Sequence, residues 1–192
     1  KYLTGFPMST PEQGLTLIEL LVVIVLAAVI MAISIPSYQS ILRDNRTAAE
    51  ANALVGDLAF ARSEAIKRGV NVTLCPAQQQ GTDYRCQNAG TDWQGGWAVL
   101  VGNPNAAASL PLRIQGSLQS AFGSADALKS NIDPTVVTFD RYGITTNSQT
   151  IAMRNTGGSS APCLVISQTG RVRSGTMAEN AAINPTNCQT QP

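Results

Sequence analysis

A long uncharged segment near the N-terminus constrains the fold of this chain more than any other feature. No Asp, Glu, Lys or Arg occurs from Leu20 to Leu42, and most of these positions are Val, Ile, Leu or Ala. As an α-helix the segment extends about 35 Å, which is enough to cross the hydrocarbon core of a bilayer. A cleaved secretory signal peptide fits poorly, because the apolar run is too long and no Ala-x-Ala site directly follows it. The sequence therefore predicts a membrane-spanning helix joined to a domain outside the membrane.

The composition excludes several classes of function. Charged residues are 13% of the chain and the formal net charge is +1, so it lacks the bulk charge that attracts nucleic acid or anionic lipid, although a local patch remains compatible. The absence of histidine excludes Ser-His-Asp and Cys-His catalysis and removes the commonest metal ligand. The cysteines form no CxxC pair, which is the usual spacing of a zinc site. We expect no enzymatic activity, no metal and no cofactor.

The residues before the apolar run carry a processing motif. The segment Gly14–Leu20, with the sequence GLTLIEL, resembles the prepilin peptidase site of type IV pilins and type II secretion pseudopilins. The resemblance implies that prepilin peptidase cleaves after Gly14 and that the new N-terminal residue, Leu15, is N-methylated. Leucine at this position departs from the usual phenylalanine of the family.

Residues 1–14 are then a leader peptide. If Met8 is the true start, residues 1–7 are not native and the remaining leader contains no Lys or Arg. The sequence leaves the start open between Met8 and an upstream position. The orientation in the membrane is therefore taken from the resemblance, which implies insertion in the inner membrane with the head in the periplasm, followed by incorporation into a pilus at the cell surface.

Glu19 lies at the edge of the apolar run, where a carboxylate needs a partner. Near the centre of a membrane helix an acidic side chain costs about 2.5–3.5 kcal/mol. Lys1 is the only basic residue before Arg43, so the partner is not supplied by this part of the chain. Cleavage after Gly14 creates an amine four residues before Glu19. We expect the carboxylate to pair with the Leu15 amine of a neighbouring subunit, which sets the axial register of a helical bundle.

The helix is expected to continue beyond the membrane. Pro36 removes a backbone donor and either bends the helix or ends it, and the following pattern favours a bend. Apolar residues recur at helical spacing at Ala51, Leu54, Val55, Leu58, Ala61 and Ala65. We expect residues 15–36 to form the membrane and assembly half and residues 37–69 an amphipathic half, with Gly69 as the C-terminal cap.

After Gly69 the pattern changes to short β-prone runs. The first of them alternates with period two, and turn-rich segments such as 80–96 separate the runs. The runs are 70–75, 97–101, 136–140, 151–154 and 163–167. Segment 115–135 is compatible with a long loop or a short helix. The predicted fold is α+β, with residues 70–192 forming an antiparallel β head of two packed sheets and the helix lying against one of them. Trp97 is expected in the core, and an exposed partner-binding patch is the alternative for Trp93 and Trp97.

The four cysteines suit a head outside the cytoplasm. They permit three pairings, and we favour Cys75–Cys86 and Cys163–Cys188 because each closes a local loop. A loop of about 25 residues contributes roughly 3 kcal/mol on the chain-entropy model. Free thiols in a reducing compartment are the alternative, which conflicts with the export implied by the N-terminal motif.

Three internal segments narrow the resemblance to the GspH/FimT group of minor pilins. They are 57–68, which leads into the strand at Cys75, 93–97 with the sequence WQGGW, and 170–173 with the sequence GRVR. The group implies a type IV pilin-like fold and a minor pilin that helps to initiate type IV pilus assembly or lies at its tip. Its partners are other pilins, contacted through the N-terminal helix. A GspH-like minor pseudopilin of a type II secretion system is the alternative.

The GRVR segment is the candidate ligand site. Residues 168–170 suit a turn, so we expect 163–167 and 171–174 to form a hairpin, with Arg171 and Arg173 on one face of the strand and Val172 on the other. In FimT-like proteins of naturally competent bacteria a C-terminal motif of this form binds DNA during uptake. The resemblance assigns sequence-independent binding of double-stranded DNA to Gly170, Arg171 and Arg173, whose guanidinium groups match phosphate oxygens. The alternative is a solvated strand at a sheet edge. No aromatic residue clusters beside the arginines in the sequence, so base stacking is not indicated.

Overall fold

The computed structural model describes residues 14, 16–80, 83–87, 90, 92–93, 95–102, 111–116, 127–133, 135–154, 161–177 and 184–190. Within this part of the chain one long helix, α1, spans Leu17–Arg68 and is followed by ten strands and a short 3₁₀ helix at Pro185–Asn187. The chain divides into two compact units, 1–39 and 40–192. The two units are described separately below.

The first unit contains the apolar half of α1. Leu17–Ser34 has a mean hydropathy of 2.9, and none of these residues is buried, so the segment is long and apolar enough to cross a membrane. The helix begins at Leu17, and the hydroxyl oxygen of Thr16 accepts a hydrogen bond from the Glu19 backbone N–H at 3.3 Å, as an N-cap residue does. The helical backbone continues through Pro36, so this proline does not end α1.

The second unit contains two antiparallel sheets, each of five strands among the described residues. In the first sheet the order is β2-β1-β3-β4, and β6 pairs with β1; in the second it is β10-β9-β8-β7-β5. The strands are β1 Val72–Gln80, β2 Asp83–Cys86, β3 Trp97–Val101, β4 Pro111–Gln115, β5 Ala127–Ser130, β6 Val137–Phe139, β7 Gln149–Arg154, β8 Ala161–Ile166, β9 Val172–Met177 and β10 Gln189–Thr190. The predicted α+β fold with a β head of two sheets is confirmed.

One hydrophobic core joins both sheets to the second half of α1. The helix contributes the predicted stripe: Val55 is partly buried, and the other five positions are buried. Facing them are side chains from both sheets, among them Leu74, Val99, Phe139, Ile151, Leu164 and Ile166. The core therefore depends on the period of the helix and on inward-facing strand positions.

Gly69 ends the helix as predicted. Its φ is 69° and its N–H donates to the Ala65 carbonyl at 2.9 Å, a geometry that satisfies an orphan carbonyl in the last turn. The chain then enters β1, whose residues Val72 to Ala77 are all buried. The predicted alternation of buried and exposed positions is wrong here, because β1 is a central strand with apolar groups on both of its faces.

Two strands lie where the sequence predicted turns, a loop or a helix. The turn-rich segment 80–96 contains β2, which pairs with β1, and the ambiguous segment 115–135 contains β5, which pairs with β7. Both strands have four residues. Strands this short show too few alternations for a period to be read, and their pairing partners stabilise them. Residues 117–126 lie outside the described part of the chain.

The two tryptophans belong to the interior, so the alternative of an exposed patch is wrong. Trp93 and Trp97 are at most 1% exposed. The Trp93 indole Nε1–H donates to the Thr135 hydroxyl at 2.9 Å, and that of Trp97 to Asp57 Oδ2 at 2.7 Å. Each buried indole therefore has an acceptor, as burial of a polar N–H requires.

Disulfides join Cys75 to Cys86 and Cys163 to Cys188. These are the two local pairings that the sequence favours. The first links β1 to β2, and the second links β8 to the residue before β10. Each bond fixes a strand at the end of its sheet.

Candidate nucleic-acid interface

The GRVR segment forms the end of a tight hairpin between β8 and β9. The Ser167 N–H donates to the Arg171 carbonyl at 3.0 Å, and the Gly170 N–H donates to the Ser167 carbonyl at 2.9 Å. Gly170 has a φ of 73°, which glycine adopts without steric cost. The hairpin expected from the sequence is therefore present, and its turn lies between Ser167 and Arg171.

The two arginines of the motif face solvent. Arg171 and Arg173 are exposed, while Val172 between them is partly buried and packs against the core. Neither guanidinium forms an ion pair within the described part of the chain. The alternation on β9 leaves both positive charges available to a ligand on one side of the sheet.

The alternative that the sequence left open, a strand at a sheet edge, is present only in part. β9 pairs with β8 along its length, but β10 contacts only Gly175 and Thr176 of β9 on the other side. The disulfide at Cys188 holds β10 at this end of the strand. Among the described residues, 172–174 therefore have a neighbouring strand on one side only.

A third arginine, from α1, holds the turn. Arg62 donates from Nη1 to the Gly170 carbonyl and from Nη2 to the Thr169 carbonyl, both at 3.2 Å. In the sequence Arg62 is simply one of three basic residues near the end of α1, with Lys67 and Arg68. Its contact lies more than a hundred residues away in the chain, so no local pattern predicts it.

A second loop lies against the same turn. Segment Asp140–Thr146 follows β6, and its Thr145 N–H donates to the Gln168 carbonyl at 2.8 Å. The Thr145 hydroxyl donates to the Ser167 carbonyl at 3.0 Å. Gly143 and Gly170 pack so closely that a Cβ on Gly170 would overlap the Gly143 carbonyl oxygen. The two loops therefore form one surface, which we call the paired-loop surface (residues 140–146 and 167–171).

The Asp140 carboxylate fixes the backbone of segment 140–146. Its Oδ1 accepts the N–H groups of Tyr142 and Ile144, each at 2.9 Å. The Gly143 N–H donates to the Asp140 carbonyl, also at 2.9 Å. Arg141, Tyr142 and Ile144 project from this closed turn and are exposed. Sequence reasoning missed this segment, although its Asp-x-x-Gly composition is a turn signal.

The basic residues at the end of α1 differ from the motif arginines, because an acidic side chain partly neutralises them. Arg68 Nε lies 2.6 Å from Glu64 Oε2, and Lys67 Nζ lies 3.7 Å from Glu64 Oε1. The hydrogen bond from Arg68 is the main cause that lowers the pKa of Glu64 below its ordinary value of 4.5, and the charge of Lys67 acts in the same direction. Glu64 therefore stays ionised at neutral pH beside these two bases.

The residues that the sequence predicts for processing and assembly lie near the N-terminus of the chain. Gly14 and Glu19 are exposed, and Glu19 is in the first turn of α1. Leu15 lies outside the described residues, as does the side chain of Pro36. Gly14 itself lies outside any helix or strand, and chain outside regular elements is where a peptidase reaches a backbone.

Solved structures identify the fold. The chain matches crystal structures of the type IV minor pilin FimU of Pseudomonas aeruginosa strain PAO1 in two crystal forms. The P21 form is 21% identical with a TM-score of 0.50, and the match covers 77% of this chain and 94% of the FimU chain. The P65 form is 23% identical with a TM-score of 0.47 and covers 74% and 98%. The fold is therefore that of a type IV pilin.

Family models identify the family. The model of the type II transport protein GspH matches residues 50–170, which is well over half of the chain. The model of the prokaryotic N-terminal methylation motif matches residues 10–35. This chain belongs to the GspH family, and the resemblance to GspH/FimT minor pilins is confirmed. The comparison with curated proteins found no match.

Proposed function

We propose that this protein is a minor pilin of a type IV pilus that binds double-stranded DNA without sequence specificity through the GRVR hairpin. Membership of the GspH family, with its methylation motif and pilin fold, makes the chain a minor pilin or pseudopilin of a type IV pilus or a type II secretion system. The observation that favours DNA is the exposure of Arg171 and Arg173 beside a turn that α1 and segment 140–146 hold in place. Such binding is the proposed step in DNA uptake during natural transformation.

The electrostatics of the hairpin suit phosphate. A guanidinium is always charged and presents two parallel donors to phosphate oxygens. A net charge of +1 gives little long-range attraction, so affinity rests on these local contacts. Contacts of this kind carry no base information and weaken steeply with salt. The proposal therefore predicts weak, salt-sensitive binding that is equal for unrelated sequences.

Replacing both arginines tests the site. We expect Arg171→Gln/Arg173→Gln to weaken binding of a duplex by roughly tenfold at low salt and to reduce the slope of affinity against salt by about two. The measurement is fluorescence anisotropy of a labelled duplex titrated with the full chain in non-ionic detergent, at two salt concentrations.

A charge-matched control separates a site from net charge. Arg85→Gln/Lys129→Gln removes the same charge from exposed positions on β2 and β5. We expect this control to bind within about twofold of the wild type, because its side chains are outside the hairpin. Equal weakening by both double variants would contradict a site at the hairpin, and so would an unchanged affinity of the arginine variant.

The assembly part of the proposal concerns the N-terminus. Prepilin peptidase cleaves after Gly14, Leu15 is methylated, and residues 15–36 hold the chain in the inner membrane with the head in the periplasm. The exposed position of Glu19 in the first turn of α1 supports a contact with the Leu15 amine of a neighbouring pilin. Pro36 permits a local bend in the helix during packing. The head then reaches the cell surface as part of the pilus.

Glu19→Ala tests this contact. We expect cleavage and membrane insertion to persist but the amount recovered in sheared pili to fall by at least about tenfold, because the neighbour's buried amine loses its counterion. Immunoblots of membrane and pilus fractions measure this ratio. Glu50→Ala, a carboxylate in the second half of the same helix, is the control and should assemble normally. Normal incorporation of Glu19→Ala would refute the register role.

A minor pseudopilin is the second candidate, favoured by the match to the type II transport protein GspH. The two functions predict different losses when the gene is deleted. Loss of DNA uptake or piliation with normal protein secretion supports the pilus. Accumulation of secreted enzymes in the periplasm supports the pseudopilin, and the arginine double variant should then secrete normally.

A further inference from the structure

The fold brings segment 140–146, which carries the exposed Tyr142, against the turn of the GRVR hairpin. We infer that the paired-loop surface binds unpaired nucleotides, with the Tyr142 ring stacking on a base while Arg141, Arg171 and Arg173 contact the phosphates of the same strand. This inference rests on the proposed DNA binding at the hairpin. It adds a base-binding element and a preference for single-stranded segments or frayed ends.

The spacing of the two loops suits one short stretch of nucleic acid. The backbones of Gly143 and Gly170 are in direct contact. Tyr142 precedes the first glycine, and Arg171 follows the second. From covalent geometry the Cα atoms of Tyr142 and Arg171 lie no more than about 14 Å apart. That distance corresponds to about four nucleotides at the rise of roughly 3.4 Å per strand in B-DNA.

The Tyr142 ring is presented to solvent on a fixed backbone. Its side chain is 73% exposed. The Asp140 carboxylate holds the N–H groups on either side of Gly143, so the chain on which the ring sits is closed by hydrogen bonds. Stacking on this ring orders only the side chain, which has two rotatable angles and a low entropic cost.

The charges around the ring favour a polyanion. Arg141 is exposed and forms no ion pair within the described residues. The nearest carboxylate in sequence, Asp140, accepts two backbone N–H groups on Oδ1 and keeps its negative charge, so it offsets one of the three arginines and leaves a net charge of about +2. Together with the adjoining Arg173 on β9, the paired-loop surface therefore offers three guanidinium groups and one aromatic ring, a combination that suits single-stranded nucleic acid.

A stacked ring discriminates between single and double strands. In a duplex each base is covered above and below by its neighbours, so a side chain on a protein surface reaches no base face without unstacking. In a single strand every base has a free face, and an aromatic contact contributes about 1–3 kcal/mol. The arginines contact phosphates in both forms. Loss of the Tyr142 ring should therefore affect single strands selectively.

The test compares two oligonucleotides and four variants of the full chain in non-ionic detergent. The probes are labelled oligothymidine of about 15 nucleotides and a duplex of similar length. Tyr142→Ala should weaken binding of the single strand about 5- to 100-fold and that of the duplex by less than about twofold. Tyr142→Phe should retain wild-type affinity, because stacking needs the ring and not the hydroxyl group.

Ile114→Ala is the control. It removes an exposed apolar side chain (38% exposed) from β4, outside the paired-loop surface, and should leave both affinities unchanged. Thermal unfolding of each variant checks that the segment still folds. If Tyr142→Ala binds oligothymidine as the wild type does while Arg171→Gln/Arg173→Gln fails, the inference is wrong and the proposed DNA site remains. If the wild type binds neither probe, the proposed DNA function fails as well.

A protein contact is the competing use of an exposed tyrosine. If Tyr142→Ala leaves oligothymidine binding intact but reduces recovery of the protein in pili, the ring contacts another pilin and the inference is overturned. Selective loss of single-strand binding with normal incorporation supports the stacking role.

Discussion

Gly170→Ala is expected to destabilise the head by about 3 kcal/mol, which combines left-handed backbone strain with a steric clash. Gly170 has a φ of 73°, and a Cβ there would overlap the Gly143 carbonyl oxygen and approach Arg62 Nε at 3.3 Å. The carbonyl belongs to a closed turn and cannot move aside without breaking the hydrogen bonds of segment 140–146. Urea unfolding of the full chain in detergent, followed by the fluorescence of the buried tryptophans, measures the change.

Gly69→Ala isolates the backbone part of this effect. Gly69 has nearly the same φ, 69°, but a Cβ there has nothing within 4 Å. We expect this control to cost only about 1 kcal/mol, the strain of a left-handed alanine. If the two variants unfold at the same urea concentration, the contact between the paired loops does not stabilise the head. Gly170→Ala should also weaken duplex binding, because it displaces the arginines that follow it.

Asp57→Ala is expected to destabilise the head by about 2 kcal/mol, because it leaves a buried indole N–H without an acceptor. Asp57 Oδ2 accepts from Trp97 Nε1 at 2.7 Å, and Oδ1 accepts from Arg113 Nη1 at 2.6 Å. The carboxylate is only 7% exposed, whereas the Arg113 side chain is half exposed and lies over the Phe60 ring at 4.3 Å. When Asp57 is removed, water can therefore replace it as the hydrogen-bond partner of Arg113, but no water reaches the buried Trp97 indole.

A double-mutant cycle tests this assignment. Arg113→Gln alone should cost less than Asp57→Ala, because Asp57 keeps its bond to Trp97 and the lost ion pair is partly solvated. The cost of the double variant should be less than the sum of the two single costs, because each single variant already removes the ion pair between Asp57 and Arg113. Urea unfolding measures each value. Wild-type stability of Asp57→Ala would contradict the role of this carboxylate in the core.

The position of Asp57 illustrates what the sequence signals and what it does not. Asp57 follows Leu54 by three residues and precedes Ala61 by four, so helical period alone places it on the buried face. A carboxylate on such a face needs a partner, which is a usable signal. Its partners, Trp97 and Arg113, lie on β3 and β4, and no pattern in the helix identifies them.

The candidate interface likewise combines features that the sequence predicts with contacts that only the fold shows. The sequence predicts the β8–β9 hairpin and the shared face of Arg171 and Arg173 from period two and a turn. It also indicates no aromatic side chain near them. The tertiary structure brings Tyr142 to the turn through the contact between Gly143 and Gly170. The sequence indicated no base stacking because no aromatic residue lies close to the arginines in the chain. Tyr142 belongs to another loop, which meets the turn only in the folded protein.

By itself, the sequence of this protein determined the features that depend on local spacing. These are the apolar helix and its N-terminal motif, the stripe on the second half of α1, the cap at Gly69 and the α+β class with a two-sheet head. Periodicity and capping act within a few residues, so they can be read without the fold. The membership of the pilin family followed from motifs of the same local kind.

Only the tertiary structure decided the features that depend on long-range contacts. The short strands β2 and β5 exist because β1 and β7 supply hydrogen bonds for them. The support of the GRVR turn by Arg62 joins positions more than a hundred residues apart, and the paired-loop surface joins segments separated by more than twenty. Such contacts are selected by the packing of the whole core and not by the residues on either side of them, which is the physical reason that the sequence alone did not show them.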